Sequence, residues 1–244
     1  MLELKNIQYD VEGNKEILKD ISLKIEDRFV AVTGPNGGGK STLAKIIAGI
    51  VKPTAGKILL DGQDITEASI TERAKMGISY AFQQPVRFKG LTVKDLLTMA
   101  AGKNTSVQEA CNILSEVGLC ARDYVNREVN GSLSGGELKR IEIAMIIARG
   151  TKISIFDEPE AGIDLWSFNS LINVFEKMYR EMGGSILIIS HQERILNIAD
   201  KIILIAGGRV EKSGSKEEIL PELLSTTGSG ACNMLLSKNE GTRN

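Results

Sequence analysis

Histidine is nearly absent from this sequence: His191 stands alone among 244 residues. Cysteine is sparse as well, and Cys111, Cys120 and Cys232 form no CxxC pair and have no histidine near them. That argues against a zinc site and against a disulfide framework. Neither sign of charge dominates, since 30 Lys and Arg face 31 Asp and Glu without a basic block. The balance points to no nucleic acid and no anionic membrane as partner. Long apolar runs are missing too; stretches such as SILIIS are far too short to span a bilayer. The start MLELKNIQYD lacks the apolar segment of a secretory signal. The expectation is a cytoplasmic protein with no direct membrane insertion.

What remains is ordinary for a soluble globular chain, 42% hydrophobic and 25% charged. The length allows one large α/β domain, or a core with a smaller lobe. LELKNIQY and EILKDISLKI flank EGNK and read as an antiparallel hairpin. RFVAVTG is a short buried strand that runs into the glycine-rich PNGGGKSTLAKIIAG and a helix. KILLDG and GISYAFQ are strand-like, with SITERAKMG as a short helix between them.

From about Pro85 to Gly150 the period turns helical, starting with VKDLLTMAA. Ser106 and Glu109 form a capping box ahead of a helix that should stop at Gly118. Its stripe Val107, Ala110, Cys111, Leu114, Val117 makes Cys111 a core thiol. Ser134 and Glu137 repeat the capping spacing before LKRIEIAMIIARG, with Gly150 as the stop. Strands return in KISIFDE, SILIIS and DKIILIA, with the helix DLWSFNSLINVFEKMYREM after the first, and Gly207–Gly208 turns the last into RVEKSG. The end, STTGSGACNMLLSKNEGTRN, reads as a loose tail with a small apolar knot at Asn233 to Leu236, and Cys232 within it as a free thiol. The expected domains are a core of residues 1–84 and 151–220 with an antiparallel N-terminal lobe, a helical subdomain of residues 85–150, and a tail of residues 221–244.

Three stretches carry chemistry. GPNGGGKST (Gly34, Pro35, Asn36, Gly37, Gly38, Gly39, Lys40, Ser41, Thr42) matches G-x-x-x-x-G-K-[ST] between a predicted strand and helix. Backbone N–H groups in such a loop wrap a phosphate, and the helix N-terminus adds a positive end. Lys40 would reach the β/γ-phosphates and the Ser41 hydroxyl would ligate Mg²⁺. KISIFDE ends a buried strand in Asp157, able to hold the magnesium, and Glu158, able to polarise a water. A surface turn would end in the same two residues, so the phosphate loop is what gives the pair weight. LSGGE places Ser134, Gly135 and Gly136 at a helix start, a second anion site. A plain capping box would explain Ser134 and Glu137 but not the two glycines, which cost helix stability there. Two phosphate-gripping helix starts with one complete nucleotide site suggest two copies docked head-to-tail around two ATP molecules.

In these motifs and their order the sequence resembles the ABC ATPase family over about residues 2–220. That resemblance implies a P-loop ABC-type α/β core with an antiparallel β lobe and an inserted helical subdomain. It implies further that Gln83 in AFQQP senses the γ-phosphate and magnesium, and that Asp164 in AGID crosses to the partner protomer. His191 becomes the switch histidine, contacting the γ-phosphate and catalytic water. The same alignment puts Val11, not an aromatic, where adenine is usually stacked; Tyr9 shares its face only if the hairpin is regular. The expectation is weaker packing of the adenine.

GISYAFQQPVRFKGLTVKDLL, HQERIL and DGQDIT look like SufC, the ATPase of SUF iron–sulfur cluster assembly. The likeness implies an ATPase that works with a SufB-like scaffold; the other reading is the cytosolic ATP-binding subunit of an ABC membrane transporter. Two departures stand out. The chain reads DEPEAGID where SufC-like chains often read D-E-S/T-D-S-G-L-D, and Leu138 then Lys139 where many carry two lysines. Both are expected to lie beside Glu158.

Overall fold

The structure, a computed structural model, describes residues 1–11, 15–181 and 183–228. In chain order its elements are β1 (Leu2–Val11), β2 (Lys15–Ile25), β3 (Phe29–Thr33), α1 (Lys40–Ala48), β4 (Ala55–Leu60), β5 (Gln63–Asp64), α2 (Ile70–Lys75), β6 (Ile78–Ala81), α3 (Val93–Ala101) and α4 (Val107–Glu116). There follow α5 (Ala121–Tyr124), α6 (Gly135–Arg149), β7 (Ile153–Asp157), α7 (Leu165–Glu181), β8 (Ser185–Ile189), α8 (Glu193–Ile198), β9 (Lys201–Ala206), β10 (Arg209–Ser215) and α9 (Lys216–Gly228). No helix among the described residues is long and apolar enough to cross a membrane.

Two sheets organise the chain. A four-stranded antiparallel sheet runs β2-β1-β4-β5, so the hairpin read from the sequence also takes in KILLDG. A six-stranded sheet runs β10-β9-β3-β8-β7-β6, parallel from β9 through β6 and closed by the antiparallel β10. FVAVT and ISIFD are buried at every position. Continuous apolar runs of this kind belong to parallel strands covered on both faces. One apolar core, with Val30, Val32, Ile46 and Ile155, lies between the two sheets around α1. A second, with Phe156, Phe175, Ile188 and Leu114, joins the other face to α3–α8.

The helical starts follow the capping chemistry. Ser106 and Ser134 each accept from the backbone N–H three residues on, while Glu109 and Glu137 reach back. Gly118 (φ +69°) and Gly150 (φ +64°) follow helix ends in the left-handed region that glycine enters at no steric cost. The stripe on α4 is narrower than expected: Ala110, Leu114 and Val117 are buried, Cys111 is half-buried and Val107 is exposed. Cys111 is therefore at the edge of the core, not within it.

The tail reading fails at its start. Residues 221–228 continue α9 through Pro221. Ile219 and Leu220 are buried in the second core with Leu223 packed against it, and the Ser215 N–H is held by Glu218 Oε2 at 2.9 Å. Packing of an apolar face outweighs the weak local propensity of a Pro- and Ser-containing segment. Cys232 and the apolar knot at 233–236 lie outside the described residues.

α1 is anchored by Arg73 of α2, which is 1% exposed. Its guanidinium donates to Ile46 O (2.6 Å), Ile47 O (3.0 Å), Thr66 O (2.8 Å) and Ala68 O (3.0 Å). The first two are carbonyls at the C-terminal end of α1, where a cation meets the negative end of the helix. Arg73→Met would strip Ile47 O, Thr66 O and Ala68 O of this donor and leave Ile46 O only the Gly49 N–H, a loss of about 3 kcal/mol. Thermal unfolding should fall by roughly 6 to 12 °C; an unchanged midpoint would refute the anchoring role.

Candidate functional site

Four neighbouring parallel strands, β3, β8, β7 and β6, end at one edge of the sheet. Val32, Ile189 and Asp157 stand level across three of them. The residues that follow are the loop from Gly34, then Ser190 and His191, then Glu158, and beyond Ala81 of β6, Phe82 and Gln83. Ligands in open α/β sheets bind at this carboxyl edge.

Gly34 leaves β3 at φ +130°, and a Cβ there would stand 2.0 Å from Ile205 O. Only glycine fits between the loop and β9. Lys40 opens α1, is 5% exposed, and its Nζ donates to Gly34 O (2.7 Å) and Pro35 O (3.0 Å). Burial pushes its pKa below the usual lysine value, opposed by the charges of Glu158 and Asp157. Ser41 and Thr42 complete the first turn of α1. The Ser41 hydroxyl donates to Asp157 Oδ1 at 2.8 Å, so two oxygen donors of the kind magnesium takes already converge. Asp157 is 3% exposed, and its other oxygen accepts from Tyr80 OH at 2.7 Å. A phosphate-gripping loop, a buried lysine and a Ser–Asp oxygen pair fit Mg-ATP.

Glu158 adopts φ +45°, a left-handed conformation that a β-carbon disfavours. Its N–H donates to Ile189 O at 3.0 Å, and the turn swings the carboxylate off the strand. One carboxylate oxygen accepts from Gln83 Nε2 at 2.6 Å; the other is 3.7 Å from His191 Nε2. The imidazole pKa is lowered by burial first, then by Lys40, against Glu158. His191 is therefore neutral at pH 7, with one ring nitrogen free to accept.

A second group lies apart from the first. Ser134 caps α6, and its N–H donates to Glu137 Oε2 at 2.6 Å. The two glycines behind it differ in kind. A Cβ on Gly136 would be 3.0 Å from Ser167 Oγ, so this glycine lets α6 approach α7. Gly135 has only an ordinary contact, 3.7 Å from Gly162 O. Asp164 caps α7, accepting from the N–H groups of Trp166 and Ser167 at 3.0 Å each. Among the described residues no hydrogen bond links Ser134, Gly135, Gly136 or Asp164 to Lys40, Asp157, Glu158 or His191.

Val11 is 42% exposed at the end of β1, and Tyr9 is half-buried against the first core. The β1–β2 register shifts between Tyr9 and Asp10, so the regular hairpin on which an alternative use of Tyr9 depended is not formed.

Several functional neighbours escaped the sequence reading. Lys139 lies within the field of Glu158, as expected, but its buried ammonium donates to Phe82 O (2.9 Å) and Gln83 O (2.5 Å). Leu138 beside it is simply core. One turn on, Glu142 accepts from Phe82 N at 2.9 Å, so α6 holds both the N–H and the carbonyl of Phe82, next to Gln83. Tyr80 is the fourth strand's contribution to Asp157. The helical period of α6 puts residues 139 and 142 on one face, but no spacing rule says which backbone they meet.

The fold and site define a phosphate-loop nucleotide-binding cassette. The chain belongs to the ABC transporter family, whose model matches residues 18–161. It is 43% identical, over 85% of its length and 86% of the relative's, to the uncharacterized ABC transporter ATP-binding protein MJ0035 of Methanocaldococcus jannaschii. It is 35% identical to the probable ATP-dependent transporter ycf16 of Pyropia yezoensis, over 88% and 91% of the two chains. The solved dimeric post-hydrolysis state of the ATP-binding cassette MJ0796, bound to ADP and Pi, matches with TM-score 0.78 at 27% identity, over 88% of this chain and 99% of that one. The chain is a mixed α/β ATP-binding cassette and an ATPase that acts on ATP with Mg²⁺.

Burial raises the Glu142 carboxyl to about 7, opposed by the Phe82 N–H and Lys139. The folded chain thus holds a proton that the unfolded chain has released between the ordinary carboxylate range and pH 7. Stability must fall as pH rises through that window. Glu142→Gln keeps the acceptor for Phe82 N–H and should gain about 2 kcal/mol on the parent between pH 5 and pH 8 in urea unfolding. Parallel stability curves for the two proteins would disprove it.

Proposed function

We propose that this chain is the ATP-hydrolysing subunit of a SUF-type iron–sulfur cluster assembly complex, working in the cytoplasm on a SufB-like scaffold. The observation that carries the mechanical part is Gln83. Its side chain donates to Glu158, while its neighbours Phe82, Pro85 and Val86 line a groove of about 370 Å³ between the sheet edge and α3 and α6. A partner seated there sits one residue from the group that touches the catalytic carboxylate. The assignment of the partner to the SUF class rests on the likeness of GISYAFQQPVRFKGLTVKDLL, HQERIL and DGQDIT to SufC.

In this reading the loop Gly34–Thr42 holds the phosphates through backbone N–H groups, and Val11 borders the adenine. Ser41, Asp157 and Gln83 hold the magnesium, which neutralises charge on the phosphates. Glu158 takes the proton of the attacking water, and neutral His191 orients water and γ-phosphate. Lys40 offsets the negative charge that develops, so catalysis is mainly positioning plus electrostatics. Ser134, Gly135, Gly136 and Asp164 complete the site of a second copy docked head-to-tail, which accounts for their separation from the first group. The isolated chain is then a monomer with slow turnover.

The second reading, the ATP-binding subunit of a membrane transporter, is favoured by the names that the relatives carry. It uses the same residues, with a permease helix in the groove. Glu158→Gln should trap ATP and the closed dimer. Trp166, the single tryptophan, is 82% exposed two residues from Asp164, and its emission should shift to the blue as that dimer closes. Unchanged turnover in the variant would remove Glu158 as the base. Affinity capture of Glu158→Gln from its native cells with Mg-ATP, followed by mass spectrometry, separates the partners. A soluble scaffold retaining iron and sulfide supports the assembly reading; a multi-span membrane protein overturns it.

A further inference from the structure

Glu160 is an acidic residue that the mechanism above does not use. It lies in the turn after β7, and its Oε1 accepts from Ser190 Oγ at 2.5 Å. Its Oε2 is buried and has no hydrogen-bond partner. Ser190 is fully buried; its N–H donates to Val32 O at 3.1 Å, and its hydroxyl also accepts from Gln192 N at 3.0 Å. The two residues that flank His191 are thus tied to one side chain. The Glu160 carbonyl meanwhile accepts from Ile163 N at 3.2 Å, which holds its own turn closed.

A carboxylate is a costly choice for this place. An orphaned buried oxygen costs about 1 to 3 kcal/mol, so stability is a poor reason to keep it. Burial raises the pKa of the group, while Ser190 and the backbone of Glu160 and His191 favour its charged form. The long side chain spans from the β7 turn to the β8 turn, a link beside the approach of Glu158 to His191.

We propose that Glu160 is the positioning residue of His191: through Ser190 it fixes the backbone that presents the imidazole to Glu158. The importance of this for turnover rests on the reading of His191 given above; the geometric claim does not. A rigid presentation matters because a misplacement of about 1 Å can cost on the order of 100-fold in rate. Glu160→Gln retains an acceptor for the Ser190 hydroxyl. Glu160→Ala removes it together with the orphaned oxygen, whose loss offsets part of the cost of leaving the buried Ser190 hydroxyl without its acceptor.

The single histidine makes the test direct. In tag-free protein labelled with ¹³C-histidine, His191 gives one ring resonance per carbon. Glu160→Ala and Ser190→Ala should each displace or broaden the same resonances, and the double variant should go no further than either. Glu160→Gln should leave them in place. Unmoved resonances in Glu160→Ala would overturn the proposal. Single-turnover hydrolysis, at saturating ATP and by titration, reads the consequence. Glu160→Ala should lower the rate about 10- to 100-fold with ATP affinity within twofold, Glu160→Gln should restore most of it, and Glu160→Ala should add nothing to His191→Ala. If His191→Ala alone leaves the rate unchanged, the reading of His191 fails while the resonances still judge the geometry. If His191→Ala slows the reaction and Glu160→Ala slows it further in that background, Glu160 acts elsewhere and the proposal is wrong.

Discussion

The chemistry of this chain depends on the register of one parallel ladder. Val32, Ile189 and Asp157 are level, and each strand leaves the sheet at the next residue or two. Because side chains alternate with a period of two, a slip of one residue would turn Asp157 into the core and bring Phe156 to the edge. The apolar faces forbid that slip: Phe156 packs on Phe175 with ring centroids 5.0 Å apart, and Ile155 faces the opposite core. The two cores therefore hold the geometry of Ser41, Asp157 and Glu158, although none of their residues touches a phosphate.

Around that ladder the polar groups divide into those that carry charge to the site and those that fasten backbone. Arg73 fastens the end of α1, Lys139 and Glu142 fasten the peptides around Gln83, and Glu160 fastens the turn at His191. Each is largely removed from water, and losing it would strip buried polar groups of a partner. Their common property is that they join segments distant in sequence by directional bonds. Hydrophobic contact holds such segments together without fixing their orientation.

The motifs were legible because their function is local. A loop that wraps a phosphate needs its glycines, lysine and serine in one stretch, and a capping box spans four residues. The fold class followed from the same economy, since continuous apolar runs signal buried parallel strands. What stayed hidden was pairwise and distant. Lys139 is 56 residues from the Gln83 carbonyl it holds, and Tyr80 is 77 from Asp157. The second half of α9 was missed because its composition is that of a loop, and only Ile219, Leu220 and Leu223 packing into the core make it a helix. The LSGGE glycines are not a pair with one purpose: a Cβ on Gly136 would crowd the Ser167 side chain at 3.0 Å, while one on Gly135 would meet only an ordinary contact.

α6 connects places that would otherwise be independent. Its first turn holds Ser134 and Gly135, and its second and third hold the backbone of Phe82 and Gln83 at the edge of the groove. Over that span, about 12 Å at the rise of an α-helix, a hydrogen-bonded rod transmits displacement with little loss. Thermodynamic linkage then sets a condition of reciprocity. In the reading proposed above, by whatever factor an occupant of the groove strengthens binding of an anion at the α6 N-terminus, that anion must strengthen the hold on the occupant. A helix that is stiff in one direction is stiff in the other, so neither end can serve purely as sender or purely as receiver.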